Sequence, residues 1–316
     1  MGTVSGSMIS PEALAGLLPR AGRDGADRPP RTAVPVVLDV RWRLTGPPGR
    51  DDHAARRIPG AVFTDLDTEL AAGPSSPGPG GRHPLPEPAA LQEVLRAAGV
   101  RDGDPDQLVI AYDDADGSVA ARAWWLLRWA GVDPARVRVL DGGFAAWAQA
   151  GLPVAGSGGD APEPEPSPAG DLVVRPGGMP VVDADGAAAL ARDGVLLDAR
   201  AAARYRGETE PVDPRAGHVP GARNVPAAAN AGPDGRWAPA GVLAERFRAA
   251  GVGPGVPAGA YCGSGINACA VVLALEESGL TTPQAPAALY PGSWSEWSAD
   301  PQRPAATGDR PWVADR

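Results

Sequence analysis

The stretch "AYCGSGINACAVVLALEESG", residues 260–279, leads from a short strand-like run through a small Gly-Ser-Gly turn into a helical pattern. It holds both cysteines of the 316-residue chain, Cys262 at the mouth of the turn and Cys269 inside the helical pattern. Elsewhere, short runs rich in β-branched residues ("VVLDV", "LVIAY", "VRVL") alternate with helical segments such as "SVAARAWWLLRWAG". Strand–helix alternation predicts an α/β protein with largely parallel sheets flanked by helices. In such sheets, sites form where a strand ends and a helix begins. Cys262 stands at such a place.

Four landmarks occur twice in the same order. "VVLDVRW" (36–42) is echoed by "VLLDARA" (195–201), and "RIPGAVF" (57–63) by "HVPGARNV" (218–225). "LVIAYDD" (108–114) corresponds to "AGAYCGS" (258–264), and "LDGGFAAW" (140–147) to "LYPGSWSEW" (289–297). A repeat this long is a duplicated domain and not a solenoid unit, and the chain length suits two domains. The expected division is a first domain over 1–155, a linker over 156–170 and a second domain over 171–316. The linker "GSGGDAPEPEPSPAG" is too rich in Pro, Gly, Ser and acid to bury apolar surface, so it reads as extended. The first half is longer between matching landmarks, with the extra length in "DLDTELAAGPSSPGPGGRHPLP" (65–86). Asp113 takes the position equivalent to Cys262, so only one half keeps a nucleophile.

Composition narrows the function. A net charge of -9 argues against a nucleic-acid partner, which asks for a basic footprint. No run of apolar residues is long enough to span a bilayer. The start lacks the basic and long apolar regions of a signal peptide; instead "SPEALAGLL" reads as a helix with Ser10 at N-cap and Pro11 at N1. Either Met1 or Met8 can open the chain. Two cysteines form no disulfide framework, which points to a reducing cytoplasm. Every basic residue is Arg apart from three His, a compositional bias without chemical meaning.

The loop itself suggests chemistry. Gly263 and Gly265 let successive backbone N–H groups turn inward, and the following helix adds the positive end of its dipole. Both favour a thiolate over a thiol, and the thiolate is the nucleophile. Cys269, flanked by Ala268 and Ala270, reads as a small core residue. Zinc is not expected, because two cysteines and three scattered histidines supply no ligand cluster. A cysteine phosphatase needs an arginine six positions after its cysteine; Ala268 stands there. Trp124, Trp125 and Trp129 have helical spacing and read as core, Trp294 and Trp297 as packing for the last helix, and His218 as a turn-setting hydrogen-bonding residue.

These motifs together resemble the tandem-domain rhodanese superfamily of sulfurtransferases over nearly the whole chain: "LDVRW", "IPGAVFTDLDT", "LDARAAARYRGETEPVDPRAGHVPGARNVP", "YCGSGINAC" and "GSWSEW". The resemblance implies two rhodanese-like domains of which only the second is catalytic. It implies ping-pong transfer of a sulfane sulfur through a Cys262 persulfide to cyanide or a thiol, possible protein acceptors being thioredoxin-like, with no cofactor. The loop "CGSGIN" (262–267) is closest to that of 3-mercaptopyruvate sulfurtransferases. From that subfamily come expected catalytic roles for Ser264, Asp67 and His83, and donor binding by Arg204, Arg215 and the loop residues Gly263, Gly265, Ile266 and Asn267. Asn267 replaces a usual Thr or Ser, and Arg57 stands where a histidine commonly precedes "IPGA". Thiosulfate is the alternative donor. A non-catalytic rhodanese module, or a thiol sensor bridging Cys262 and Cys269, is the alternative class.

Overall fold

The computed structural model describes residues 6–19, 34–73, 80–162 and 168–309. Met1 and residues 163–167 of the expected linker lie outside the described residues. Two compact units emerge. The first comprises the described residues up to Leu70 with Glu87–Gly178 and Pro233–Arg236; the second comprises Ala71–Pro86 and Met179–Gly232 with the described residues from Trp237 onward.

In the first unit the strands are β1 (Met8–Ile9), β2 (Val36–Asp39), β3 (Val62–Phe63), β4 (Val109–Tyr112) and β5 (Val137–Leu140). They form one parallel sheet in the order β1-β5-β4-β2-β3. Every residue of β2, β4 and β5 is buried, as expected of central parallel strands covered on both faces. The helix Ser118–Trp129 is buried on all sides, Trp124 and Trp125 included, because it is apolar around most of its circumference. The first helix, Pro11–Leu17, begins as its sequence suggests: Ser10 accepts a hydrogen bond from the N–H of Ala13 at 3.2 Å.

The second unit repeats this plan with β6 (Val195–Asp198), β7 (Arg223–Asn224), β8 (Ala258–Tyr261) and β9 (Ala288–Leu289). Its parallel order is β7-β6-β8-β9, and a bridge from Val181 to Leu289 stands where β1 flanks β5 in the first unit. Register is kept too, with Asp39 beside Tyr112 in one sheet and Asp198 beside Tyr261 in the other. Each of these buried aspartates receives the arginine two residues on, at 2.9 Å for Arg41 Nε and 3.1 Å for Arg200 Nε. Both guanidinium groups lie over the ring that the repeat matches, Phe144 or Trp294, each at 4.7 Å.

Two crossings depart from chain order. Gly170 and Leu172 donate to carbonyls of Arg96 and Val100, and Gly178 to that of Trp129, so the chain stays on the first unit as far as Gly178. The segment Ala71–Pro86, which holds most of the extra length of the first half, hydrogen-bonds to the second unit. Gly80 N donates to Glu296 Oε1 and Arg82 N to Ser295 Oγ, both at 3.1 Å. Among the described residues no helix is long and apolar enough to cross a membrane.

Candidate active site

β8 ends at the buried Tyr261, and the helix Asn267–Glu277 begins six residues later in the chain's numbering. The turn between them stays this short because Gly265 adopts φ +83°, a conformation L side chains rarely take. A Cβ at Gly265 would also meet the carbonyl oxygen of Pro291 at 2.6 Å. The N–H of Gly265 donates to Cys262 Sγ at 3.1 Å, so the loop aims a donor at the sulfur. Ile266 is buried at the helix start and its carbonyl accepts from Cys269 N, while Asn267 is exposed.

The last segment of the second unit holds this loop from behind. Cys262 N donates to Ser293 Oγ at 3.1 Å, and the carbonyls of Cys262 and Gly263 accept from Trp294 N and Ser295 N at 2.9 Å. Ser293 is the one non-glycine with positive φ among the described residues, at +54°. Its hydroxyl donates in turn to Tyr290 O at 2.9 Å. Both hydrogen bonds need the oxygen, which explains why a serine tolerates this backbone.

Cys262 is buried and Cys269 fully so; both are free thiols. Cys269 lies on the core face of its helix and its thiol donates to Gly265 O at 3.3 Å. Ser264 and His83 meet within the second unit, Oγ to Nδ1 at 2.8 Å, and both side chains are largely buried. Asp67 lies in the first unit, where its carboxylate accepts from Trp42 Nε1 at 2.8 Å.

Arg204 lies on the short helix Ala202–Tyr205 and donates to Glu210 Oε1 at 2.6 Å and Asp213 Oδ2 at 3.0 Å. Arg82 forms an ion pair with the other oxygen of Asp213. A Cβ built on Gly263 would lie 3.0 Å from Arg82 Nη2 and 3.4 Å from Arg204 Nη1, so two guanidinium groups border the residue after Cys262. Burial works to raise the Glu210 carboxyl, but hydrogen bonds from Arg204 and from the N–H groups of Asp213 and Val212 outweigh it and hold it low. For Asp213 burial prevails over the pull of Arg82 and its carboxyl is raised.

Arg215 has a different task from the donor binding expected of it. Its guanidinium donates to the carbonyls of Trp297, Ser298, Asp300 and Arg303 at 2.7–2.9 Å, which ties down the chain after the helix Ser293–Trp297. Those donors are therefore spent on backbone. His218 is buried, stacks on Tyr205 with ring centres 3.7 Å apart, and donates from Nδ1 to Tyr205 O at 2.8 Å. Burial lowers its pKa, in keeping with a neutral structural histidine. Sequence reading passed over Arg82, Glu210, Asp213 and Ser293. Only Ser293 left a visible trace, as the repeat sets it against Gly143, which has the same φ of +54°.

A rhodanese-like domain matches the chain twice, over residues 25–150 and 183–300. A Pseudomonas aeruginosa protein named "Probable 3-mercaptopyruvate sulfurtransferase" is 46% identical over 278 residues, covering 87% of this chain and 93% of its own. The chain belongs to the tandem rhodanese family of sulfurtransferases. A Mycobacterium tuberculosis protein, provisionally named a thiosulfate sulfurtransferase, is 42% identical over 279 residues, covering 86% and 90% of the two chains. Among solved structures, an Escherichia coli protein described as a 3-mercaptopyruvate sulfotransferase with the rhodanese fold matches with a TM-score of 0.71 at 29% identity. That match covers 92% of this chain and 99% of the other.

The first rhodanese domain shows what its loop holds in place of sulfur. Asp113 O accepts from Phe144 N at 2.9 Å, as Cys262 O does from Trp294 N, so the two positions coincide structurally. The Asp113 carboxylate accepts from four N–H groups, those of Ala115, Gly117, Val119 and Ala120, at 3.0–3.1 Å. Burial nevertheless pushes its pKa up to about 6, with Asp116 adding repulsion. The loop of the first domain is thus a cradle of four N–H groups filled by its own carboxylate. Replacing Asp113 with Cys is expected to yield no second sulfur carrier, because Asp116 opposes a thiolate there. Intact-mass counting of persulfide should give one per chain in Asp113→Cys; two would contradict this reading.

Proposed function

We propose that this sulfurtransferase takes its sulfur from 3-mercaptopyruvate, with Cys262 as carrier. The Cys262 thiolate attacks the donor's sulfur, an S–S bond forms, and the donor's C–S bond breaks with its electron pair passing to carbon. The proton of the donor thiol then reaches that carbon, giving pyruvate and a Cys262 persulfide. A nucleophilic acceptor, cyanide or a thiol, next removes the outer sulfur and regenerates the thiolate. Gly265 N–H, directed at Sγ, stabilises the Cys262 thiolate that begins and ends the cycle, as a preorganised dipole does.

The observation that carries the donor choice is the Ser264–His83 hydrogen bond on the cysteine loop. Mercaptopyruvate needs a proton moved from sulfur to carbon, whereas thiosulfate releases sulfite with no such transfer. A hydroxyl bonded to an imidazole is suited to that movement. Arg204, beside Gly263, keeps Nη1 for the carboxylate while its Nε and Nη2 hold Glu210 and Asp213. The second reading, thiosulfate, draws on the two guanidinium groups near Gly263, which would attract a dianion. The thiol-sensor class gains no support from Cys269, whose thiol is engaged with Gly265 O within the core. We place the enzyme in a reducing cytoplasm, with a thioredoxin-like thiol protein as acceptor.

Steady-state kinetics with both donors tests the choice. The expected kcat/KM for 3-mercaptopyruvate exceeds that for thiosulfate by at least about tenfold, roughly 1.4 kcal/mol. Arg204→Ala should lower mercaptopyruvate efficiency by about 2 kcal/mol, as losing a charged hydrogen-bond partner does. Equal efficiencies, or a preference for thiosulfate, would leave the second reading standing.

A further inference from the structure

Arg82 belongs to no motif, yet its position is built with care. Gly81 before it adopts φ +71°, and a Cβ there would come within 2.3 Å of the carbonyl oxygen of Gly292. The backbone can therefore press against the Gly292–Ser295 turn only with glycine at 81. Arg82 N then donates to Ser295 Oγ, and Ser295 N donates to Gly263 O, so Arg82 is two hydrogen bonds from the cysteine loop. Its Nη2 lies 3.0 Å from a Cβ built on Gly263, and the next nearest atoms there are Arg204 Nη1 and Nη2.

The charges are arranged in depth. The side chains of Arg82 and Arg204 are 30% and 21% exposed, whereas those of their acceptors Asp213 and Glu210 are 3% and 5% exposed. An incoming anion thus meets the cations first and the carboxylates stay behind them. Asp213 is shared, one oxygen to each arginine. Arg200, paired with Asp198, also reaches Glu210 Oε2 at 3.4 Å, so three guanidinium groups and three carboxylates leave the cluster neutral overall. A neutral cluster whose outer guanidinium N–H groups face the loop can take one carboxylate by hydrogen bonding, but gives a dianion no net charge to neutralise.

We infer that Arg82 is the second donor-anchoring residue, and that Asp213, by bridging Arg82 and Arg204, sets the site to accept a monocarboxylate donor in preference to a dianionic one. The inference rests on the proposed sulfur transfer and deepens it. It also supplies the second arginine that Arg215, committed to backbone carbonyls, does not.

Three variants test it with both donors: Arg82→Met, Arg82→Lys and Asp213→Asn. For Arg82→Met the KM for 3-mercaptopyruvate should rise at least about tenfold while kcat changes by less than about threefold, the signature of lost binding common to ground and transition states. Arg82→Lys should fall between, since it restores charge without the fork. In Asp213→Asn the cluster gains a net positive charge, and the ratio of thiosulfate to mercaptopyruvate efficiency should rise about tenfold or more. Inhibition by pyruvate, which has the carboxylate without the thiol, should weaken in Arg82→Met in parallel with KM. If Asp213→Asn does not fold, the two Arg82 variants carry the test. A KM and a pyruvate inhibition in Arg82→Met both within about twofold of wild type would overturn the role of Arg82. An unchanged donor ratio in folded Asp213→Asn would overturn that of Asp213. Absence of a Cys262 persulfide in the wild type with either donor would instead defeat the sulfur-transfer reading itself.

Discussion

Cys262→Ser is expected to lose sulfur transfer by at least about a thousandfold, the scale on which removing a covalent nucleophile acts. The hydroxyl can accept the Gly265 N–H that now points at the sulfur, so the loop has no reason to collapse. What it cannot do is form and break a sulfur–sulfur bond. Cys269→Ser provides the comparison within the same helix. Its thiol donates to Gly265 O, a bond that a hydroxyl can also make, so most of the activity should survive. Its stability loss should be on the order of 1 kcal/mol, from placing a more polar group in a packed face. Both variants should give far-UV circular dichroism like that of the wild type. Retained turnover in Cys262→Ser, or its loss in Cys269→Ser alone, would reverse the roles.

Arg200→Ala is expected to be the most destabilising single change in the second unit. Its guanidinium is buried, bonds both oxygens of Asp198 at 2.7–3.1 Å, and donates to Gly217 O at 2.6 Å. It also covers Trp294, whose N–H holds Cys262 O in place. Removing one partner of a buried ion pair leaves an uncompensated charge and costs about 3–5 kcal/mol. For a domain of this size that lowers the midpoint of the second unit's thermal transition by on the order of 10 °C. Scanning calorimetry, which resolves separate transitions in a two-unit protein, measures it. An unchanged midpoint would show that Asp198 finds another partner and that the pair is dispensable.

The duplicated fold was legible because its cues are local. Strand runs, the "LDVR" and "LDAR" turns and the Gly-containing loops recur with their spacing, and the matched registers of Asp39 and Asp198 follow from them. Burial of Cys269 and of Trp124 and Trp125 could likewise be read from apolar neighbours at helical spacing. What stayed hidden depends on long side chains and on where the chain crosses between units. Nothing in "GGRHPLP" says that the segment folds onto the second unit, so Arg82 drew no notice while its neighbour His83 was singled out through family resemblance alone. Arg215 misled for the opposite reason. An arginine in a loop near "GHVPGA" looks available, and only the tertiary structure reveals the four carbonyls that its guanidinium serves. Ser293 shows a third kind of concealment, since only its match to Gly143 in the repeat, and not the serine itself, hints at the positive φ.

The most direct test of the account is a single-turnover reaction of the purified protein with 3-mercaptopyruvate and no acceptor, followed by mass spectrometry of the intact chain and its peptides. The account predicts one added sulfur atom per chain, located on the peptide bearing Cys262 at its Cys262 thiol, with release of an equal amount of pyruvate. An unmodified chain, or an added sulfur found on Cys269 instead, would contradict it.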